Sequence, residues 1–256
     1  MTSLRDKIVF ITGASSGIGR ACAFAFAREG AKLLLAARRK DRLDELAPQL
    51  LQAGATAIHM MALDVRDNAA VERTITNLPE EFRDIAVLVN NAGLSRGLDP
   101  VQTGSLDDWN EMIDTNVKGL LHVTRAVLPG MIARGHGHVI SLGSTAGHVT
   151  YPKGAVYCAT KAAERVLSEG LRQDCLGTPV RVTSVDPGMV ETEFSEVRFR
   201  GDTQRAATVY KGLTPLRPED VADAIVWAAT RPAHVNIAEI QLTSIDQANS
   251  LLFHRE

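Results

Sequence analysis

Tyr157 and Lys161 stand four residues apart in Tyr157-Cys158-Ala159-Thr160-Lys161, a spacing that puts a phenol and an ammonium on one face of a helix. A free tyrosine, with a pKa of ~10, is a poor acid or base at neutral pH; a nearby positive charge favours its phenolate and brings it toward the working range. The same spacing also suits an ordinary amphipathic helix that carries a Tyr beside a surface Lys. Ser144 lies thirteen residues before Tyr157, just past an aliphatic run at 138–142, so its hydroxyl could meet the phenol at the end of a strand. Asn116 falls inside a helical stretch, where an interior Asn is mildly unfavourable and needs a compensating role.

A second kind of chemistry is offered by Thr12-Gly13-Ala14-Ser15-Ser16-Gly17-Ile18-Gly19. This turn follows one apolar run directly and opens a helical pattern, so Gly13, Gly17 and Gly19 can shape it tightly. Backbone N–H groups around Ser15, Ser16 and Ile18 can then approach a pyrophosphate. A purely structural strand-to-helix turn is the alternative. About 20 residues on, where an NAD-binding unit carries an acid for the ribose hydroxyls, the chain reads Leu35-Ala36-Ala37-Arg38-Arg39. Arg38 and Arg39 suit a 2'-phosphate, gripped by charge-assisted hydrogen bonds, which favours NADP over NAD; otherwise they begin the solvated face of the next helix. Asp64-Val65 ends a third run, where the carboxylate could accept from an adenine amino group or cap a turn. Asn91-Ala92-Gly93, after Asn90, ends a fourth, as a cofactor contact or a brace between central strands.

The elements that must position these groups alternate in kind along the whole chain. Short, aliphatic, β-rich runs at 7–12, 32–37, 57–63, 85–90, 138–142, 180–185 and 239–242 predict strands, and helical patterns lie between them, among them 17–30, 106–134, 155–176 and 218–230. This predicts an α/β fold, a Rossmann-type doubly wound parallel sheet of about seven strands with helices on both faces. Nothing resembling a linker, repeat or low-complexity tract divides it, so residues 1–256 read as one domain. The exception to regular alternation is a segment of mixed charge and aromatic character at 187–217, opened by Pro187-Gly188. A long insertion after a strand's carboxyl end is where such a sheet puts substrate contacts.

Bulk properties exclude other classes. The net charge of -2, from 28 basic and 30 acidic residues, leaves no sustained basic stripe for nucleic acid or an anionic membrane. No stretch approaches the ~18 apolar residues of a membrane span, and the protein is expected to be soluble and cytoplasmic. Cys22, Cys158 and Cys175 have neither disulfide-framework nor zinc spacing and read as core or near-site thiols. No metal is expected: His136 and His138 flank one glycine before a strand, the other histidines are scattered, and all read as turn or surface residues.

TGASSGIG, NNAG, Asn116, Ser144, YCATK and the turn from Pro187-Gly188 to Thr192 together resemble the motif set of the classical short-chain dehydrogenase/reductases over nearly the whole chain. The resemblance implies that Tyr157 exchanges the substrate proton, Ser144 hydrogen-bonds the same oxygen, and Lys161 holds the nicotinamide ribose while favouring the phenolate. It implies a relay water held by Asn116 and a carboxamide steadied by Thr192, with Pro187, Gly188 and Val190 also against the cofactor. It also implies a homotetramer formed through the helices at 106–134 and 155–176.

Longer strings resemble a narrower group, the NADP-dependent 3-hydroxy acid dehydrogenases that also oxidise serine and allo-threonine. They include Glu193-Phe194-Ser195-Glu196-Val197-Arg198-Phe199-Arg200 and Arg231-Pro232-Ala233-His234-Val235-Asn236. This implies a small hydroxy-acid substrate, and Arg198 is the candidate clamp for its carboxylate. Arg200 in that role, or Arg198 tied to Glu193 or Glu196, are the alternatives. A reductase of 3-oxoacyl carriers, sugars or pterin-like ketones would share every core motif and differ only in the loop. A non-catalytic NADP-sensing protein would be expected to have lost one of the four catalytic residues, and all four are present.

Overall fold

The computed structural model describes residues 2–256. Seven strands, β1 (Ile8–Thr12), β2 (Lys32–Ala37), β3 (Ala57–Ala62), β4 (Ile85–Asn90), β5 (Gly137–Leu142), β6 (Val180–Pro187) and β7 (Glu239–Leu242), form one sheet in the order β3-β2-β1-β4-β5-β6-β7. Every pairing is parallel. The central strands read as continuous apolar runs because both faces are covered, and alternate residues feed two cores. Val9 and Ile11 pack with Leu33, Leu35 and the helices α1 (Gly17–Arg28) and α9 (Pro218–Ala229). Ile8 and Phe10 pack with Leu34 and Leu88 against α3 (Asn68–Thr76) and α5 (Leu120–Arg134). The doubly wound parallel sheet expected from the alternation is thus present. The strand order reverses between β1 and β4, and the crevice that binds ligands in such sheets opens at this switch point.

Helix α2 (Lys40–Gln52) follows β2, and α6 (Ala155–Asp174) leads toward β6. The helix expected at 106–134 is interrupted: α4 (Leu106–Ile113) and α5 are joined by a π-helical stretch, Asp114–Gly119. The segment at 187–217 is less irregular than its composition suggests. It contains two short helices, α7 (Phe194–Arg198) and α8 (Thr203–Thr208), and Val190 pairs with Leu216. Its first helix is tied to the loop after β4, where Gly97 N–H donates to Arg198 O at 3.0 Å.

One expectation is corrected. His138 is neither a turn nor a surface residue; it lies within β5, 1% exposed, with Nε2 at 2.7 Å from Thr183 Oγ1 on the neighbouring strand. Burial holds its pKa well below the ordinary histidine value, and the Arg181 charge adds to this.

Candidate active site

The carboxyl ends of β1, β4, β5 and β6 surround an open cleft. Gly13 has φ +65°, a conformation costly for any residue with a Cβ. A Cβ on Gly19 would stand 2.4 Å from both Asn91 Nδ2 and Gly13 O, so only glycine allows α1 to approach so closely. Asn91 Nδ2 donates to Thr12 O at 2.8 Å and Gly13 O at 3.2 Å, and Thr12 Oγ1 accepts from the N–H groups of Asn91 and Ala92. Asn91 therefore braces the turn while also lining the cleft. Ser16 at the start of α1 makes no side-chain cap, so the first N–H groups of α1 are left for a ligand.

Around this turn the cleft is lined by Ser15, Ser16, Gly17 and Ile18, by Arg38 and Arg39, by Asp64 and Val65, and by Ala92 and Gly93. Ser144, Tyr157, Lys161, Pro187, Gly188, Val190 and Thr192 complete it. Three candidate residues do not line it: Gly19 lies behind the turn, and Asn116 and Arg198 sit just outside.

At the adenosine end, Arg39 donates to Ser16 Oγ at 3.1 Å and lies 3.4 Å from Glu193 Oε2. Arg42 holds the same carboxylate at 2.8 Å. Glu193 is a lining residue that sequence reasoning missed, because 151 positions separate it from Arg42. A carboxylate already seated on two guanidinium groups shows that the pocket presents anion-binding donors, as a 2'-phosphate requires. Asp64 is paired with Arg66 at 2.6 Å, and the hydrogen bond from Arg66 holds its carboxyl below the usual range.

The catalytic candidates converge from separate elements. Ser144 ends the β5 loop, and its Oγ accepts from Ala146 N–H at 3.1 Å. Tyr157 and Lys161 project from one face of α6, both buried. Lys161 Nζ donates to Leu142 O at 2.9 Å and to both carboxylate oxygens of Glu164 at 2.9 and 3.0 Å. Asn116 lies in the π-helical stretch, a feature common at functional sites. Its Nδ2 donates to Leu94 O at 2.9 Å and Thr160 Oγ1 at 3.0 Å, and Oδ1 accepts from Leu94 N–H at 2.9 Å. Both amide hydrogens thus join the loop after β4 to α6, which supplies the bonding role an interior Asn needs.

Arg198 covers the Tyr157 ring. Its guanidinium carbon lies 5.3 Å from the Tyr157 ring centroid and 5.2 Å from that of Phe194. It pairs with neither Glu193 nor Glu196: Nη2 donates to Tyr151 Oη at 3.0 Å, and Nε is buried without a partner. Arg200 points away and pairs with Asp108. Burial pushes the Tyr151 phenol up, opposed in part by the Arg198 charge. Tyr151 had no signal in the sequence beyond its type.

The short chain dehydrogenase family pattern matches residues 7–202. The NADP-dependent 3-hydroxy acid dehydrogenase YdfG of Salmonella typhi is 49% identical over 242 residues, covering 94% of this chain and 96% of that protein. Sulfoacetaldehyde reductase 2 of Chromohalobacter salexigens is 50% identical, covering 95% and 96%. A solved structure of the closed form of serine dehydrogenase with NADP+ superposes with a TM-score of 0.91 at 47% identity, covering 97% of this chain and all of that one.

Proposed function

The chain belongs to the short-chain dehydrogenase family, and on that premise we propose that it is an NADP(H)-dependent oxidoreductase acting at the C3 carbinol or carbonyl of small 3-hydroxy acids of the serine, allo-threonine or 3-hydroxypropionate type. The observation that carries the substrate class is Arg198, a half-buried cation over the Tyr157 ring whose Nε is itself buried without a partner. A buried donor left without an acceptor is costly, and a substrate carboxylate is the group that would pair with this guanidinium beside a phenol doing proton transfer.

The cofactor fits the residues present: glycines keep the turn free of Cβ atoms, residues of the first turn of α1 line the cleft, and Arg38 and Arg39 line it too, where they would hold a 2'-phosphate. When bound, NADP supplies the hydride acceptor or donor. The protein's own part is positioning and proton transfer. Tyr157 Oη takes the proton of the substrate hydroxyl in oxidation and returns it in reduction, while Ser144 Oγ hydrogen-bonds the same oxygen. Lys161 brings a positive charge to the phenol's side of the cleft and binds the ribose. Asn116 keeps Leu94 and Thr160 in register beneath them, and the turn ending at Thr192 closes the nicotinamide end.

The test is a panel of small hydroxy acids, hydroxy amino acids, neutral alcohols and acyl-thioester ketones with NADP(H) and NAD(H). Turnover of the hydroxy acids with NADP+ and little with NAD+ is expected. Equal preference for an acyl thioester or neutral ketone would overturn the substrate class. A second reading, reduction of sulfoacetaldehyde, is favoured by the 50% identical relative of that name and by Arg198, whose fork suits a sulfonate as well as a carboxylate. The panel therefore includes that aldehyde with NADPH.

The same reading makes the protein a single-domain, cytoplasmic homotetramer. The exposed Ile113, Leu121, Ile132 and Val166 on the surfaces of α4, α5 and α6 support the assembly. Among the described residues no helix is long and apolar enough to cross a membrane. Sedimentation equilibrium checks the oligomer, and a monomer at micromolar concentration would exclude it.

A further inference from the structure

Behind the catalytic pair lies a carboxylate that the proton-transfer scheme does not use. Glu164 follows Lys161 by three positions on α6 and is 3% exposed. Both its oxygens lie within 3.0 Å of the Lys161 ammonium, whose remaining contact is the carbonyl of Leu142. The ammonium is therefore held by a carboxylate through both of its oxygens. Coulombic fields in a buried site are strong enough for a carboxylate about 3 Å from a cation to cancel much of the cation's effect on a third group.

We propose that Glu164 is a positioning residue for proton transfer: it anchors the Lys161 ammonium and sets how much of that positive charge reaches the Tyr157 hydroxyl. The inference rests on the reading of Tyr157 as the acid–base group.

The groups facing this pair are few. Tyr157 lies on the same helix, with its ring centroid 6.0 Å from Lys161 Nζ. From β6 comes Asp186, wholly buried, its carboxylate accepting from Ser184 Oγ and contacting His148 Nε2 at 2.6 Å. His148 follows the short turn after Ser144, and Glu239 of β7 lies 3.9 Å from it. The negative charge of Asp186 disfavours a second carboxylate nearby. Burial first, and Asp186 with it, push the Glu164 carboxyl up to about 7 against the opposing pull of Lys161. Burial also acts against the ammonium, but Glu164, Tyr157 and Asp186 outweigh it and hold Lys161 charged above the ordinary lysine value. The two-oxygen contact fixes the direction for the pair: Lys161 stays positive, and Glu164 is the member that gains or loses a proton near neutrality.

Removing the counter-charge while keeping the shape should let Lys161 act on Tyr157 in full. Glu164→Gln is expected to lower the midpoint of the alkaline-rising limb of kcat/KM for oxidation by about one pH unit, the lower end of what a neighbouring charge does to a titrating group. Glu164→Asp, which keeps the charge, should return the midpoint to near the wild-type value. A readout without cofactor or substrate separates this inference from the functional reading. The chain has three tyrosines, and burial pushes the phenols of Tyr151 and Tyr210 upward. The first phenolate to appear in an ultraviolet titration of the apoprotein, absent in Tyr157→Phe, should move down by the same amount in Glu164→Gln. If the panel finds no turnover, that titration still decides the matter. Glu164→Met, of similar size, serves if the Gln variant does not fold. The proposal is overturned if the neutral variants leave the midpoint unmoved or raise it, or if neither folds while Glu164→Asp does.

Discussion

Arg198 Nη2 donates a 3.0 Å hydrogen bond to the Tyr151 hydroxyl while the Nε of the same guanidinium is buried with no partner. The fork is thus held in place from one side while one of its donors stays unpaired. Arg198→Ala is expected to lower kcat/KM for serine or 3-hydroxypropionate by roughly tenfold or more, the ~1.5–3 kcal/mol of a charged hydrogen bond. A neutral alcohol of similar size should be little affected, and NADP+ affinity should hold. Equal losses on charged and neutral substrates would mean a disordered α7; no loss on either would remove the clamp.

Tyr157 keeps its ring contact with Phe194, at 5.7 Å between centroids, when only the hydroxyl is deleted. Tyr157→Phe should therefore fold and bind NADP+ normally while kcat falls roughly 10²- to 10⁴-fold. Retaining more than about a tenth of wild-type activity would take Tyr157 out of the acid–base role. Stopped-flow fluorescence of bound NADPH checks the binding half.

Arg38 and Arg39 stand where an NAD-binding chain carries an acid. The Arg38→Ala/Arg39→Ala double variant is expected to weaken NADP+ binding roughly tenfold or more, with NAD+ binding nearly unchanged. Calorimetric Kd values for both cofactors measure it, and an unaltered ratio of the two would assign the 2'-phosphate to other groups.

His138 gives a pH dependence of stability. Its folded-state pKa is depressed by burial, so below the ordinary histidine value of ~6.5 the unfolded chain binds a proton that the native chain resists. The neutral, buried state contributes its full stability above that pH and loses it as pH falls, at ~1.4 kcal/mol per unit from this one group. Urea unfolding of wild type and His138→Gln between pH 7.5 and pH 5 should show a steeper fall for the wild type. Parallel curves would mean that His138 is protonated in the native state.

The strands at 32–37 and 85–90 were legible residue for residue, because strands buried on both faces leave apolar runs that end abruptly at turn residues. The cofactor turn and the Tyr–Lys spacing were legible because their chemistry is local. What was not legible depends on contacts across the fold. Helices α7 and α8 have five and six residues, too short for a periodic signal. Glu193 meets Arg39 and Arg42 only when the segments that follow β2 and β6 fold over the same cleft. His138 was legible as the start of a strand but not as a buried residue, since Thr183 on the neighbouring strand makes its burial possible. Glu164 was visible at helical spacing from Lys161, yet such acids usually lie on a solvated face, and no pattern in the chain announced its burial.

The packing of α1 against α9 has a consequence for biosynthesis. Cys22 and Phe26 of the first helix share a buried cluster with Val221 and Ile225. Thr2 N–H is fastened to Thr230 O at 2.8 Å, and Arg181 gathers the carbonyls of Ala228, Ala229, Arg231 and Val235 beneath the end of α9. The amino-terminal helix leaves the ribosome some two hundred residues before the surface that covers it. At about 5–20 residues per second, the part of its apolar face that α9 covers stays open for roughly 10 to 40 s during each round of synthesis. That interval is open to capture by a chaperone, and it ends when α9 arrives.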